Sequence, residues 1–467
     1  MKRTATLVIF LVGLIGTTAA QDMSGTWKGL LEISSMQLEV FFNLKKTEDG
    51  YSGTMDVPTQ GAKGLPLDKV EVSDNQIVLG FSGAGITYEG EYQGDELIAG
   101  TFHQGPVSEP LNLTREEQAA PELERPQEPK GPFPYTVEEG TIPNAAAGLS
   151  LAGTLTLPEG DAPVAAAILI SGSGPQNRDE ELMGHKPFWV LADHLTRNGI
   201  AVLRYDDRGV GQSTGEFQGA TSQDFSTDVA AVMSYLKTRA EIDPNLIGLV
   251  GHSEGGLIAP LVATDYEGVG FIVSMGGPGV TGKEIILEQQ RLITAAQGVP
   301  VAILDANKDF HNGAIDIVLA NEDAEEAMDK LEAHAETVIE KYAHLPGFAQ
   351  LVPAELAEGT YQQYGGDWFR YFLVHDPAPL WEQVECPVLS VIGENDLQVP
   401  AEMNTTAIEQ SLKEGGNQDF EAIILPGLNH LFQESETGSP AEYATITQTM
   451  SPSALEAITE WILELED

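Results

Sequence analysis

Residues 246–256 read LIGLVGHSEGG, and this stretch decides the fold that we expect for the chain. An apolar run is followed at once by Gly251-His252-Ser253-Glu254-Gly255, which fits the pattern G-x-S-x-G and opens a segment of helical character. That pattern is typical of a sharp turn from a β-strand into an α-helix, and it presents the serine oxygen above the edge of a sheet. Glycines are needed because the turn is crowded and its backbone is strained. The stretch therefore predicts Ser253 as a nucleophile.

Apolar, strand-like runs alternate with helical stretches on both sides of this motif. The strand-like runs are residues 164–170, 200–205, 246–250, 271–275, 387–392 and 420–425, and the helical stretches are residues 187–197, 225–238, 254–263, 401–412 and 452–463. Such alternation is typical of a mostly parallel, doubly wound sheet with helices on both faces. Residues 279–376 interrupt it with acidic, amphipathic helices. We therefore predict an α/β-hydrolase fold over residues 136–467, with an inserted helical cap at about 279–376.

A nucleophilic serine needs a general base, and in this fold an acid and then a histidine follow the serine along the chain. His430 is the one histidine after residue 375, and it lies in the loop behind the last strand-like run. Asp396 lies directly after the strand-like run before that. We predict that His430 is the base and that Asp396 orients it. Glu394 is the main alternative acid, and Asp376 is a more distant one.

Two backbone N–H groups are expected to hold the negative oxygen that develops on an attacked carbonyl. One belongs to Glu254, which directly follows the nucleophile at the start of a helix. The other is expected in the turn Ser171-Gly172-Ser173-Gly174-Pro175, and we assign it to Ser173, with Gly174 as the alternative. The same glycines also have a plainer interpretation as residues that only permit a turn.

Other kinds of site find little support in the sequence. No grouping of His, Cys and carboxylate residues has metal-ligand spacing, and residues 204–213 lack the lysine and the glycine spacing of a phosphate-binding loop. We therefore predict no metal and no cofactor. Cys386 is the only cysteine and precedes an apolar run, so we interpret it as a buried structural thiol and not as a nucleophile.

The charge balance restricts the partners. The 467 residues include 71 acidic and 24 basic side chains, for a formal net charge of −47. Nucleic acids and anionic membranes are poor partners for such a surface, so a small molecule is the expected ligand. A solvated acidic surface is also typical of proteins adapted to high salt. The charge therefore says more about where the protein works than about what it does, and the oligomeric state stays open.

The first 135 residues differ in character from the rest. Residues 1–20 combine an early positive pair, an apolar run and small residues, which predicts a secretory signal peptide and export to the periplasm or the exterior; an uncleaved membrane anchor is the alternative. Residues 21–115 contain short alternating runs separated by turn signals, so we expect a small antiparallel all-β accessory domain. Residues 116–135 hold five prolines among many glutamates and are predicted to form a semi-rigid linker.

Five motifs in order give the chain a resemblance to a known family. They are SGSGPQ (171–176), RYDDRG (204–209), GHSEGG (251–256), GENDLQVP (393–400) and PGLNHLFQ (426–433). Together they resemble the EstD-type carboxylesterases, α/β-hydrolases related to the serine aminopeptidase-like branch, from about residue 135 to the end. The resemblance implies hydrolysis of short-chain carboxylic esters and a triad of Ser253, Asp396 and His430. One departure is the oxyanion turn, which is Ser-Gly-Ser-Gly here and His-Gly-Gly-Gly in many lipases and esterases.

The sequence thus favours an exported, metal-free carboxylesterase that forms an acyl-enzyme on Ser253. A peptidase on the same fold is the first alternative, because Glu254 and the acidic cap offer carboxylates to a substrate amine. A binding protein with an inactive hydrolase domain is the second, although an ordered set of serine, acid and histidine has no purpose in a binding module.

Overall fold

The structure is a computed structural model. It describes residues 23–33, 36–47, 50–57, 62–73, 75–81, 85–94, 97–104, 107–116, 125–160 and 163–465. The predicted signal peptide, residues 1–20, lies outside the described residues. The chain divides into two compact units, residues 1–121 and 122–467. None of the helices in the described ranges combines the length and the apolar character that a membrane crossing requires.

The first unit is an antiparallel β-sheet, as the alternating sequence pattern predicts. Its strands are β1 (Gly25–Ile33), β2 (Met36–Thr47), β3 (Gly50–Val57), β4 (Ala62–Pro66), β5 (Lys69–Ser73), β6 (Gln76–Phe81), β7 (Ile86–Gly94), β8 (Leu97–Gln104), β9 (Val107–Pro110) and β10 (Leu113–Glu116). They follow the order β4-β3-β2-β1-β10-β8-β7-β6-β5, with β9 on β8. Alternate residues of β2 are buried in one core with Trp27 and Tyr88, because successive side chains of a strand face opposite sides.

The second unit contains a mixed sheet of eight strands. They are β11 (Tyr135–Asn144), β12 (Leu149–Pro158), β13 (Val164–Ile170), β14 (Ala201–Tyr205), β15 (Ile242–His252), β16 (Phe271–Met275), β17 (Val388–Gly393) and β18 (Phe420–Leu425). The order is β11-β12-β14-β13-β15-β16-β17-β18. The pairings of β11 with β12 and of β12 with β14 are antiparallel, and those from β14 to β18 are parallel. The prediction of an α/β-hydrolase fold is confirmed.

Helices cover both faces of this sheet. The framework helices are α1 (Pro187–Arg197), α2 (Ser222–Leu236), α3 (Glu254–Asp265), α9 (Ala378–Trp381), α10 (Ala401–Gly415) and α11 (Pro452–Glu464). The side chains of β13 alternate between two buried clusters, with Ile168 and Ile170 in one and Ala167 and Leu169 in the other. Both faces are therefore dry, which explains why the central strands are almost wholly apolar.

A helical cap interrupts the framework between β16 and β17, as predicted. It consists of α4 (Gly282–Ala296), α5 (Val301–Ala320), α6 (Ala324–Tyr342), α7 (Pro353–Tyr364) and α8 (Asp367–Val374). The cap has a core of its own around residues such as Phe310, Leu331 and Tyr364. Two residues of α3, Leu257 and Leu261, belong to the same cluster. The apolar stripe of each amphipathic cap helix is thereby buried, while its acidic face remains in solvent.

Residues 116–135, which are predicted to form a linker, begin at the end of β10 and continue into the second unit. Glu116 ends the last strand of the first unit, and residues 125–134 belong to the second unit. Arg125 donates hydrogen bonds to the carbonyl oxygens of Ile446 and of Met183, the latter at 2.8 Å. Gln127 donates to the carbonyl oxygen of Met450 at 2.6 Å. These hydrogen bonds hold Arg125 and Gln127 to other parts of the second unit.

Candidate active site

The ends of three parallel strands bring the predicted nucleophile and acid to one edge of the sheet. The N–H group of Ser253, directly after β15, donates to the carbonyl oxygen of Met275 at the end of β16, at 2.9 Å. The N–H group of Gly276, directly after β16, donates to the carbonyl oxygen of Val391 in β17, at 2.8 Å. Parallel strands end on the same side of a sheet, and ligands of such sheets bind outside their carboxyl ends.

Ser253 occupies a strained turn between β15 and α3. Its φ is +52° and its ψ is −116°, a region that non-glycine residues rarely adopt. The turn is also crowded, since a methyl group at Gly251 would lie 2.1 Å from the carbonyl oxygen of Gly255. A methyl group at Gly255 would lie 2.2 Å from the carbonyl oxygen of Ile170. The flanking glycines therefore allow the close packing that holds the serine above the sheet.

His430 and Asp396 are joined by a buried hydrogen bond. The distance from His430 Nδ1 to Asp396 Oδ2 is 2.7 Å, and the two residues are 5% and 3% exposed. The other oxygen, Oδ1, accepts hydrogen bonds of 2.8 Å from the N–H groups of Gln398 and Val399. The carboxylate is thereby held in place on both oxygens, and it fixes the orientation of the imidazole ring.

The alternative acids lie elsewhere. Glu394 is exposed and accepts a hydrogen bond from the N–H group of Gly427 at 3.0 Å. Asp376 is exposed and accepts one from the N–H group of Ala378 at 3.1 Å. Of the three candidates, Asp396 is the one whose carboxylate contacts His430.

Gly276 shows how closely the site is packed. A methyl group at this glycine would lie 3.3 Å from Asp396 Oδ2 and 3.4 Å from His430 Cε1 and Nδ1. Within the described ranges the Ser253 hydroxyl has no hydrogen-bond partner, and it makes no hydrogen bond to His430. Such an arrangement is common without substrate, because catalytic hydrogen bonds often tighten only in the complex.

The turn predicted to supply an oxyanion donor faces Ser253. A methyl group at Gly172 would lie 3.2 Å from Ser253 Cβ, and Ser173 lines the same cavity as Ser253 and Glu254. The N–H group of Glu254 belongs to the first residue of α3, where helical N–H groups lack intrahelical acceptors. Among the described residues neither this N–H group nor that of Ser173 has an acceptor. Neither N–H group is therefore used by the hydrogen bonds of the described fold.

Comparisons with known proteins show what the chain is similar to. A family model described as "Hydrolase_4: Serine aminopeptidase, S33" matches residues 187–342. Esterase EstD of Thermotoga maritima is 25% identical over 295 residues, which is 63% of this chain and 61% of that protein. The chain thus spans about three fifths of the length of this relative. The chain has the α/β-hydrolase fold and is similar to esterase EstD. The resemblance predicted from the five motifs is confirmed.

Two esterases with solved structures are also similar to this α/β-hydrolase. One is Est1E from Butyrivibrio proteoclasticus, at 17% identity and a TM-score of 0.39, covering 70% of this chain and 99% of the other. The second is the Pyrococcus furiosus esterase Pf2001, at 13% identity and a TM-score of 0.42, covering 75% of this chain and 100% of the other.

The cavity of the α/β-hydrolase domain lies between Ser253 and the cap. Its volume is about 440 Å³, a size that suits a small organic ligand. Glu254 is the only ionisable side chain among its lining residues. Most of the large lining side chains are apolar, namely Phe217, Ile285, Ile286, Trp368, Phe369 and Phe372. The cavity therefore favours uncharged, apolar groups next to the nucleophile.

Glu254 connects the nucleophile turn of this α/β-hydrolase to the cap. Its Oε1 accepts hydrogen bonds from Ser222 Oγ in α2 at 2.6 Å and from Trp368 Nε1 in α8 at 2.8 Å. The residue is only 3% exposed, and burial raises the pKa of its carboxyl, against the effect of these two hydrogen bonds. A carboxyl already held by two donors and disfavoured as an anion is poorly suited to capture a substrate amine.

Sequence reasoning missed Asp207, which holds the oxyanion turn in place. Its two carboxyl oxygens accept hydrogen bonds from Ser171 Oγ at 2.8 Å and from the N–H group of Gln176 at 2.9 Å. Burial raises the pKa of Asp207 to about 8, against the effect of these hydrogen bonds, and the neighbouring Glu254 and Glu180 act in the same direction as burial. The motif RYDDRG, which contains Asp207, is visible in the sequence and is typical of a structural turn. No local pattern indicates that it lies beside Ser171.

Cys386, predicted to be buried, is half-buried beside the core of the second unit and is not among the residues lining the cavity. Burial raises the pKa of its thiol to about 12, so the reactive thiolate is scarce at neutral pH. Within the residues that the structure describes, no three His, Cys, Asp or Glu side chains are grouped so that they would hold a metal ion.

Proposed function

We propose that the protein is an exported serine hydrolase that cleaves carboxylic esters with short, uncharged acyl groups. The observation that carries the proposal is the buried His430–Asp396 hydrogen bond, at the same sheet edge as the strained Ser253. In this proposal Ser253 is the nucleophile, His430 the general base and Asp396 the residue that orients the base. Export rests on the sequence of residues 1–20 alone.

The proposed reaction has two halves. His430 takes the proton of the Ser253 hydroxyl as its oxygen attacks the ester carbonyl, and the N–H groups of Ser173 and Glu254 hold the oxyanion. His430 then gives the proton to the leaving alcohol, which leaves an acyl group on Ser253. Water, deprotonated by His430, attacks this acyl-enzyme, and the serine leaves with the proton that His430 returns.

The walls of the cavity support uncharged acyl groups. The aromatic side chains of Trp368, Phe369 and Phe372 belong to the cap, and no lysine or arginine is among the residues lining the cavity. A carboxylate on the acyl group would lose its hydration there without gaining a cationic partner. The volume of about 440 Å³ accommodates acetyl and butyryl groups beside the alcohol.

A peptidase is the second candidate, because the matching family model carries the description of a serine aminopeptidase. An aminopeptidase requires an ionised carboxylate near the nucleophile to hold the substrate amine. Glu254 is the only ionisable group that lines the cavity; its Oε1 already accepts hydrogen bonds from Ser222 and Trp368, and burial raises the pKa of its carboxyl. The geometry therefore supports ester cleavage better than cleavage next to a free amine.

The test compares hydrolysis of p-nitrophenyl acetate, butyrate and octanoate with that of alanine p-nitroanilide. We expect turnover of the two short esters, less of the octanoate and little of the anilide. Ser253→Ala should lower kcat by about 10⁴-fold or more. Ser234→Ala is the matched control, because this exposed hydroxyl only contacts the carbonyl oxygen of Ala230 within α2.

Three outcomes would contradict the proposal. Full esterase activity in Ser253→Ala would exclude this serine as the nucleophile. A preference for the anilide would favour the peptidase. A protein that neither hydrolyses these compounds nor reacts with a fluorophosphonate probe would favour the binding protein.

A further inference from the structure

A buried histidine and glutamate lie directly behind the nucleophile, and the proposed reaction does not use them. His252 precedes Ser253 in the chain, and its Nδ1 lies 2.9 Å from Glu180 Oε1. Its Nε2 lies 2.9 Å from the backbone carbonyl oxygen of His430. His252 and Glu180 are 6% and 5% exposed. The pair is therefore sealed from solvent and contacts the loop that carries the proposed base.

The partners of His252 define its protonation state. A backbone carbonyl oxygen can only accept, so Nε2 of His252 must carry a proton. Nδ1 faces a carboxylate oxygen that also accepts a hydrogen bond from the N–H group of Gly172, at 2.7 Å. With acceptors on both nitrogens, the ring is satisfied as an imidazolium whose charge Glu180 balances.

Electrostatics agree with this assignment. Burial alone opposes a charged imidazole, but the charge and hydrogen bond of Glu180, the hydrogen bond to the His430 carbonyl and the nearby charge of Asp396 outweigh it. Together they raise the pKa of His252 above its usual value. The titratable groups that face His252 are therefore Glu180, Asp396 and the ring of His430, whose centroid lies 4.7 Å from that of His252.

The backbone of Glu180 is strained in a way that fits a functional contact. Its φ is +52°, in the left-handed region that side chains other than Asn, Asp and His rarely adopt. Its carboxylate joins two elements, since Oε1 accepts from Gly172 in the oxyanion turn and contacts His252 beside the nucleophile. Strain of this kind persists where surrounding contacts hold it, and it concentrates at functional sites.

We propose that Glu180 and His252 form a positioning pair, which sets the backbone of His430 and the oxyanion turn in register with Ser253. The pair supplies a rigid link from Gly172 through Glu180 and His252 to the carbonyl oxygen of His430. In this proposal neither residue of the pair contacts the substrate or takes a proton from it. This inference rests on the proposed roles of Ser253 and His430, but it does not depend on whether the substrate is an ester.

The experiment measures the rate of labelling by a fluorophosphonate probe, since this reaction requires an activated serine and an oxyanion site whatever the natural substrate. The variants are Glu180→Gln, His252→Ala and His252→Gln. Asp228→Asn is the matched control, because Asp228 is an equally buried carboxylate, bound to Arg208 at 2.7 Å, away from the cavity. Melting temperatures are recorded for every variant.

We expect Glu180→Gln and His252→Ala to slow labelling by about 10- to 100-fold, as small misplacements of reacting groups do. His252→Gln should retain more of the rate than His252→Ala, because its amide N–H reaches the position of Nε2. In Glu180→Gln the charged form of His252 loses its counter-charge, so the decline of the rate at alkaline pH should begin at a lower pH. Asp228→Asn should lower the melting temperature without slowing the labelling.

The inference is overturned if folded Glu180→Gln reacts at the wild-type rate with an unchanged pH profile. It is also overturned if Asp228→Asn slows labelling as much as the pair variants do. If Glu180→Gln does not fold, equal rates for His252→Gln and His252→Ala decide against it. If the wild-type protein is labelled normally but cleaves no ester, the proposed substrate is overturned. The positioning pair is still tested in that case, because the labelling rates of the Glu180 and His252 variants support or refute it.

Discussion

Asp396 and Glu394 are two residues apart in one loop, yet their carboxylates have opposite surroundings. Asp396 is buried against His430, and Glu394 is exposed and accepts a hydrogen bond from the backbone N–H group of Gly427. We expect Asp396→Asn to lower kcat by about 10⁴-fold, because an amide favours the wrong tautomer of the imidazole. Glu394→Gln, the matched control, should change kcat less than about threefold. Steady-state kinetics with p-nitrophenyl butyrate would measure both.

The opposite ranking of these two variants would assign the orienting role to Glu394. Equal, small effects would mean that His430 needs no acidic partner, and the proposed mechanism would then lack its orienting residue.

Some residues of the site can be predicted from the sequence, and others cannot. Ser253 directly follows the end of a strand, and Asp396 and His430 lie in the loops after the next strands, so the strand pattern and chain order place them at one edge of the sheet. Glu180 and His252 are 72 residues apart, and no local pattern brings them together. Their contact depends on how the loop after β13 folds back over the neighbouring strand β15, which only the three-dimensional structure gives.

The strand–turn–helix element around Ser253 depends on a glycine that no other residue replaces. A methyl group at Gly255 would meet the backbone carbonyl of Ile170 at 2.2 Å, so the backbone itself would have to move. We expect Gly255→Ala to lower the free energy of unfolding by about 3 kcal/mol or more, or to prevent folding. Gly359→Ala is the control, since Gly359 lies inside α7 with no atom within 4 Å of the added methyl group.

Gly359→Ala should raise the free energy of unfolding by about 0.5–1 kcal/mol, because alanine loses less conformational entropy in a helix. Urea unfolding followed by circular dichroism would measure both changes. If Gly255→Ala were as stable as the wild type, the turn would be looser than its contacts indicate.

Strands β11 and β12 form the part of the sheet that the sequence pattern does not predict. The alternating leucines of β12, such as Leu155 and Leu157, are visible in the sequence and are buried in the structure. Strand β11 is an edge strand with mostly polar, exposed residues, so its pairing depends on the backbone of β12 and not on an apolar pattern. An alternation of parallel strands and helices therefore predicts the sheet from β13 onward and leaves out the antiparallel hairpin of β11 and β12.

The whole molecule carries a charge that its contacts do not balance. The chain has 24 basic and 71 acidic side chains, which is about three carboxylates for each lysine or arginine. Many acidic side chains of the cap lie exposed along α6, among them Glu332, Glu336 and Glu340. Folding gathers these charges into a smaller volume, so self-repulsion opposes the compact state.

Salt should relieve this repulsion. The Debye length falls from about 30 Å at 0.01 M to about 3 Å at 1 M, so charges further apart than this are largely screened at the higher concentration. We expect the melting temperature to rise by several degrees between these two concentrations of NaCl. KCl at equal ionic strength should give the same rise, because screening depends on ionic strength and not on the identity of the cation. A melting temperature that is unchanged, or a rise with only one of the two salts, would show that general charge repulsion is not what limits the stability of this protein.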